Sequence, residues 1–209
     1  MKVIVIGATG SLGRVAVEHL LHERNEVTAF ARSPQRLDLH HERLTLVAGD
    51  ATSPRDISRA IAGHDAVVVA LGSGNARSSK IRSVGTLNVI QAMQDHRIER
   101  LICQSTLGTF ESRGNLNFLW KYVLFGVLLR PVLKDHELQE QMVRASGLDW
   151  TIIRPSAFAD GPLTGAYKEG FAADERRLSL TISRADIASF IARVLGERAY
   201  RRQAVAISN

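Results

Sequence analysis

Apolar residues fall in short runs along this chain, and amphipathic stretches separate them. Runs at residues 3–6, 27–31, 44–48, 66–71, 100–104, 150–153 and 203–207 are too short for helices and predict strands. Runs 3–6 and 66–71 are apolar throughout and the others mostly so, the pattern of strands buried on both faces. The intervening stretches predict helices: from a glycine turn to about residue 22, a short one from Ser53, a long one over 81–96, one over 131–146, and one from Ser183 to about 195. Ser53 and Ser183 suit helix N-caps, with Pro54 at a first helical position and Asp186 near a positive helix end. Gly147 suits a helix C-terminus. Strand and helix alternate, which predicts βαβ units and a doubly wound α/β fold with a mainly parallel sheet.

Two stretches escape the pattern. Residues 107–130 fit no simple unit, and 156–178 read as loop, with Gly161, Pro162, Gly165 and Gly170. A shorter loop is read at 72–77. Each follows the C-terminal end of a strand, the edge where open α/β sheets bind ligands. A small loop-built pocket is expected there.

The chain has 209 residues, which suits one domain over 1–209. Its 27 basic and 21 acidic residues leave a net charge of +6. The cations are scattered and few aromatics accompany them, so the charge favours phosphorylated small molecules over nucleic acid. Cys103 is the one cysteine, so no intramolecular disulfide or cysteine-only metal site can form. It sits in an apolar run and reads as a core residue. No His/Cys clustering points to a metal. The start of the chain reads as a strand rather than a signal peptide. The apolar segment 118–130 is broken by Lys121 and is well short of the ~20 residues of a membrane span. These features predict a cytoplasmic protein without a membrane span, monomeric or homodimeric.

The most informative motif is the turn Gly7, Ala8, Thr9, Gly10, Ser11, Leu12 and Gly13, which follows a strand and opens a helix. In that context three glycines permit a tight turn, close approach of a diphosphate and close helix–strand packing. The helix N-terminus would offer free amides to phosphates. A dinucleotide is therefore expected. Where an NAD-selective site carries an acid at the end of the second strand, this chain has Ala31, Arg32 and Ser33. A guanidinium there grips a 2′-phosphate, which argues for NADP(H), with Arg14 and Arg36 able to assist. Asp50, with Ala51, is read at the adenine, although a turn-forming Asp explains it nearly as well. Ala70, Leu71, Gly72 and Ser73 are read along the ribose and nicotinamide.

Residues 7–14, Gly49 with Asp50, residues 85–90 and residues 146–155 (SGLDWTIIRP) resemble the atypical short-chain dehydrogenase/reductase superfamily, in its NAD(P)H-binding, NmrA-like branch. Residues 160–167 (DGPLTGAY) and 182–186 (ISRAD) are similar to its flavin reductase/biliverdin reductase B group. The resemblance spans nearly the whole chain and is weakest over 107–130. It implies hydride transfer from NADPH to a small planar acceptor such as a flavin, quinone or bile pigment. Pro155 is read beside the cofactor. Ser105 matches a serine of these reductases and is assigned to the nicotinamide amide or the acceptor. His136 aligns with a family histidine and is assigned a place facing the acceptor; a solvated helix histidine is the bland alternative. Phe158, Leu163 and Tyr167, with Trp120 and Phe110, are read as the acceptor wall.

Two departures bear on the chemistry. The superfamily's Tyr-xxx-Lys pair falls at Val132 and His136, and no such pair occurs anywhere in the chain. A family histidine after the sixth strand is Ala157 here. Ordinary alcohol dehydrogenation and sugar epimerisation are thereby disfavoured. A flavin can take hydride without an enzymic acid, so a reductase remains the reading. The alternative is a non-catalytic NADP(H)-binding redox sensor, with 118–129 as a partner surface.

Overall fold

The computed structural model describes residues 1–74 and 79–209. In chain order its principal elements are β1 (Lys2–Ile6), α1 (Ser11–His22), β2 (Glu26–Ala31), β3 (Leu44–Ala48), α2 (Pro54–Ile61), β4 (Ala66–Val69), α3 (Ile81–Asp95), β5 (Arg100–Gln104) and α4 (Arg130–Ala145). They continue with β6 (Asp149–Pro155), β7 (Ala157–Ala159), β8 (Lys168–Glu169), β9 (Thr181–Ser183), α5 (Arg184–Gly196) and β10 (Gln203–Ser208). The fold is α/β and Rossmann-like.

Strand β1 explains the layers. Val3 and Val5 point into one apolar cluster with α1 and α5, while Ile4 and Ile6 point into the other with α2 and α3. One strand thus feeds two cores, which is why its sequence is apolar without interruption. The main sheet has the order β3-β2-β1-β4-β5-β6-β10-β8. All its neighbours pair in parallel except β10 and β8. From β1 the chain winds outward to β3, then returns to β4 and winds the other way. The strand order therefore reverses between β1 and β4, and the crevice at their C-terminal ends is the ligand position of this architecture.

The helix caps follow the sequence signals. Ser53 and Ser183 each accept a hydrogen bond from the amide three residues on, Asp56 and Asp186. Pro131 lies in the first turn of α4, and Gly147 beyond its end takes φ +74°. Strand β4 stops earlier than expected: the Ala70 amide still donates to Ile6 O at 2.9 Å, and the chain then leaves the sheet. Residues 75–77 of the loop read from the sequence lie outside the described residues.

The irregular stretch after β5 holds a 3₁₀ turn (Phe110–Asn115) and a π-helix (Leu119–Leu128). Trp120 and Phe125, five residues apart, both face a third small core containing Leu107, Leu116 and Leu133. A five-residue step matches the i→i+5 hydrogen bonding of a π-helix and not the 3.6-residue turn of an α-helix, so the usual helical signature was absent. In the stretch after β6, β7 pairs with β9, and β8 adds to β10. Strands of two or three residues are too short to leave an alternating pattern. Among the described residues, no helix is long and apolar enough to cross a membrane.

Candidate functional site

After β1 the chain turns through Gly7 at φ +91°, a conformation open to glycine. A Cβ at Gly7 would lie 2.6 Å from the Ala70 carbonyl oxygen, so the turn can approach β4 only without a side chain. Helix α1 begins after Gly10, which supplies no capping side chain, and its first turn holds no acid. The first amides of α1 are thus left to an anion, and the helix dipole favours one. Gly13 plays another part. A Cβ there would overlap the Gly7 carbonyl oxygen, so Gly13 serves close packing of helix on strand and is not part of the groove wall.

The crevice between β1 and β4 opens into a groove of ≈ 680 Å³. Gly7, Thr9, Gly10, Ser11 and Leu12 form its middle. One end is walled by Ala31, Arg32, Arg36, Asp50 and Ala51. Ala70, Leu71, Gly72 and Ser73 form the opposite rim. At the far end stand Ser105, Val132, His136 and Ser156, under an apolar wall of Trp120, Phe125, Leu129 and Phe158.

At the first end, Arg32 is exposed at the tip of β2. Asp50 accepts from the Thr52 amide and hydroxyl, both at 2.8 Å. Those two bonds, and then the charge of Arg32, hold its carboxyl below the ordinary Asp range. Asp50 is a turn-forming residue that also lines the groove.

The far end rests on an ionic cluster around Glu140 and Arg154 that no sequence motif marks. Ser105 Oγ donates to Glu140 Oε1 at 2.6 Å, and Thr109 Oγ1 donates to the same oxygen at 2.6 Å. Arg154 grips Glu140 through Nε at 2.9 Å and Nη2 at 2.7 Å, and reaches Glu111 through Nη1 at 2.6 Å. Burial, the largest influence, would lower the Arg154 pKa; the hydrogen bonds and charges of Glu140 and Glu111 together outweigh it and raise it. A signal existed. Glu140 is one of two acids, with Asp135, on the buried face of α4, and a buried acid requires a buried partner. Arg154 was visible only as part of the Arg-Pro pair closing β6.

This cluster fixes the polarity of Ser105. Its hydroxyl proton is committed to the carboxylate, so a lone pair remains for the groove. His136 is arranged similarly. Gln139 Nε2 donates to Thr86 Oγ1 at 2.9 Å, which turns Gln139 Oε1 toward His136 Nδ1 at 3.3 Å. With this assignment Nδ1 carries the proton and Nε2 the lone pair. Burial, reinforced by the Arg82 charge and opposed by the Gln139 bond, pushes the His136 pKa down to about 3. His136 is therefore a buried neutral imidazole, not a solvated helix residue. Val132 and His136, the positions of the missing Tyr-xxx-Lys pair, both wall the groove.

Five of the sequence-assigned site residues lie off the groove. Gly13 packs behind the turn, as described. Ser33 is carried aside where the chain enters a 3₁₀ turn (Pro34–Leu37), which brings Arg36 to the wall instead. Pro155 is the last residue of β6, and its carbonyl accepts from the Leu107 amide at 2.8 Å; Ser156, one step on, reaches the groove. Leu163 is 52% exposed. Tyr167 stands edge-on to Phe190, their centroids 6.2 Å apart, against α5. The reason is Asp186, whose carboxylate accepts from the Thr164 amide and hydroxyl, both at 2.9 Å, and from the Gly165 amide at 2.8 Å. The motif at 160–167 is thus tied down onto α5. Phe110 likewise stands off the groove, with the guanidinium carbon of Arg154 5.8 Å from its ring centroid.

A switch-point crevice with an uncapped helix end at a glycine turn defines a Rossmann-like nucleotide-binding protein. A family model described as NAD(P)H-binding matches residues 7–198, and the chain belongs to that family. It is 29% identical to a UPF0659 protein of Saccharomyces cerevisiae, over 91% of this chain and 85% of that one. It is also 29% identical to the photosystem II assembly factor Ycf39 of Synechocystis, over 80% of this chain but only 48% of that one. Two solved structures share its fold over 100% of this chain. The first is a short-chain dehydrogenase/reductase of Veillonella parvula in complex with NADP (TM-score 0.83, 19% identity, 94% of that chain). The second is ChuY, an anaerobilin reductase of Escherichia coli O157:H7 (TM-score 0.80, 22% identity, 97% of that chain).

Proposed function

We propose that this chain, as one catalytic domain, is an NADPH-dependent reductase that delivers hydride to a flat conjugated acceptor of the flavin or quinone type. The observation that carries the reading is the polarity of the far end of the groove. Ser105 and His136 offer lone pairs there, beside Trp120, Phe125, Leu129 and Phe158. An apolar slot with two hydrogen-bond acceptors suits a planar ring system bearing N–H groups, such as a flavin, or the nicotinamide carboxamide; a quinone, which has no N–H, would rest on the apolar wall alone. It does not suit reduction of an isolated carbonyl, which needs a proton donor as charge develops on oxygen.

The glycine turn and the first amides of α1 would hold the diphosphate of NADP(H), and Arg32 with Arg36 its 2′-phosphate. Bound there, the cofactor supplies the hydride. The chain's own contribution is positional: stacking the acceptor, excluding water from the apolar wall, and fixing the amide through Ser105. A reduced flavin or quinone can take its proton from solvent, so the lack of a Tyr-xxx-Lys pair is no obstacle. The NADP complex of the Veillonella protein and the identity of ChuY as an anaerobilin reductase agree with this reading.

The test is NADPH oxidation followed at 340 nm with FMN, riboflavin and a soluble quinone. Steady turnover well above the protein-free rate supports the reductase. Tight NADPH binding with no turnover for any of the three would favour a redox-sensing role instead.

A further inference from the structure

Arg82, in the first turn of α3, is 9% exposed and lines the groove beside His136. A guanidinium so deeply buried is costly unless its donors are matched. The acid nearest to it is Asp135, but that carboxylate is occupied otherwise. Its Oδ1 accepts from the Ser83 hydroxyl at 2.5 Å and the Ser83 amide at 3.1 Å, and its Oδ2 from the Arg82 backbone amide at 3.2 Å. Asp135 therefore caps α3. The Arg82 guanidinium approaches it only to 3.7 Å, beyond hydrogen-bond length. Nη1 reaches Ser73 Oγ at 3.3 Å, and Nε has no partner among the described residues. His136, being neutral, cannot balance the charge. A second polar atom on the same wall, Ser156 Oγ, is also buried without a partner among the described residues.

We propose that Arg82 forms an oxyanion subsite that binds a carboxylate or phosphate carried by the planar acceptor. The proposal rests on the reductase reading of this groove and adds to it the charge of the substrate. On that reading the diphosphate of the cofactor would meet the α1 N-terminus at the glycine turn. Arg82 comes from α3, on the side walled by Val132 and His136, where the acceptor would lie. Asp135 pairs with the guanidinium at 3.7 Å, an ion pair without a close hydrogen bond. A planar guanidinium with spare donors matches an oxyanion in two-pronged fashion, and the bound group would supply the close acceptors that Asp135 does not.

The test compares acceptors that differ only in the anion, at saturating NADPH. FMN and riboflavin share a ring and differ by a phosphate. A linear tetrapyrrole with free propionates and its dimethyl ester differ by carboxylates. The expected result is a KM about tenfold lower for the charged member of at least one pair, in keeping with a charged hydrogen bond; the pair that responds identifies phosphate or carboxylate. In Arg82→Met this preference is lost, while NADPH affinity and the KM of the uncharged member stay within about twofold. Arg82→Lys keeps the charge but not the fork and retains part of the preference. Should Arg82→Met fail to fold, the wild-type ratios still decide. Equal KM values within both pairs overturn the subsite and leave the reductase standing. An Arg82→Met variant that loses NADPH affinity as steeply as acceptor affinity also overturns it, since Arg82 would then serve the cofactor. If no acceptor is turned over at all, the reductase reading falls first and the subsite with it.

Discussion

Ser105 Oγ lies 2.6 Å from Glu140 Oε1, and both residues are buried. That one bond turns Ser105 into a hydrogen-bond acceptor toward the groove, and Arg154, which donates to both Glu140 oxygens, holds the acceptor carboxylate in place.

Removing one partner of this pair should be severe. Glu140→Gln leaves the Arg154 guanidinium buried against an amide, and truncation of a buried pair costs about 3–5 kcal/mol. The paired replacement Glu140→Leu with Arg154→Met should cost less than Glu140→Leu alone. Urea unfolding followed by circular dichroism checks both. Additive losses in the pair would remove Arg154 as the partner that matters.

Arg32 should set cofactor choice. Arg32→Glu places a carboxylate where a 2′-phosphate would sit, and the loss of a charged hydrogen bond together with the new repulsion should weaken NADPH binding by about tenfold to a hundredfold. NADH lacks that phosphate and should change by less than about threefold. Fluorescence titration of the two reduced nucleotides reads the difference; equal losses would assign Arg32 to the surface.

His136 should leave a mark on acid stability. Its folded pKa, about 3, lies below its unfolded value near 6.5. The unfolded state therefore binds the extra proton. The stability contributed by neutral His136 is complete above pH 6.5 and is lost as pH falls toward 3, by up to about 1.4 kcal/mol per pH unit. His136→Gln should flatten the stability profile between about pH 6 and pH 4. A slope identical to wild type would show that the histidine titrates normally.

Asp186 should matter for structure and not for the groove. It caps α5 and ties down Thr164 and Gly165. Asp186→Ala should lower stability by about 2–3 kcal/mol through lost charged hydrogen bonds and the helix-end interaction. NADPH affinity should stay within about twofold. Thermal unfolding and nucleotide titration on the same sample separate the two effects.

The strand–helix alternation and the glycine turn were legible because each obeys a local rule. β1 is apolar on both faces, Gly7 takes a positive φ at the strand end, and Gly13 answers a steric demand from Gly7 within the same turn. Ser53 and Ser183 were legible as caps for the same reason. What escaped depends on distant partners. The role of the 160–167 motif could not be read without Asp186, some twenty residues on, and the polarity of Ser105 could not be read without Glu140 thirty-five residues away. The π-helix escaped because its Trp120–Phe125 spacing follows neither the strand nor the α-helix period. Ser33 and Pro155 each lie beside a residue that lines the groove, Arg32 and Ser156, and one step along the chain suffices to turn a side chain to another face.

Isothermal titration of the intact chain with NADPH tests the central claim most directly. One site per chain is predicted, with clear heat release and an affinity weakened by added inorganic pyrophosphate competing for the amides at the start of α1. Absence of binding by either NADPH or NADH to well-folded protein would contradict the account.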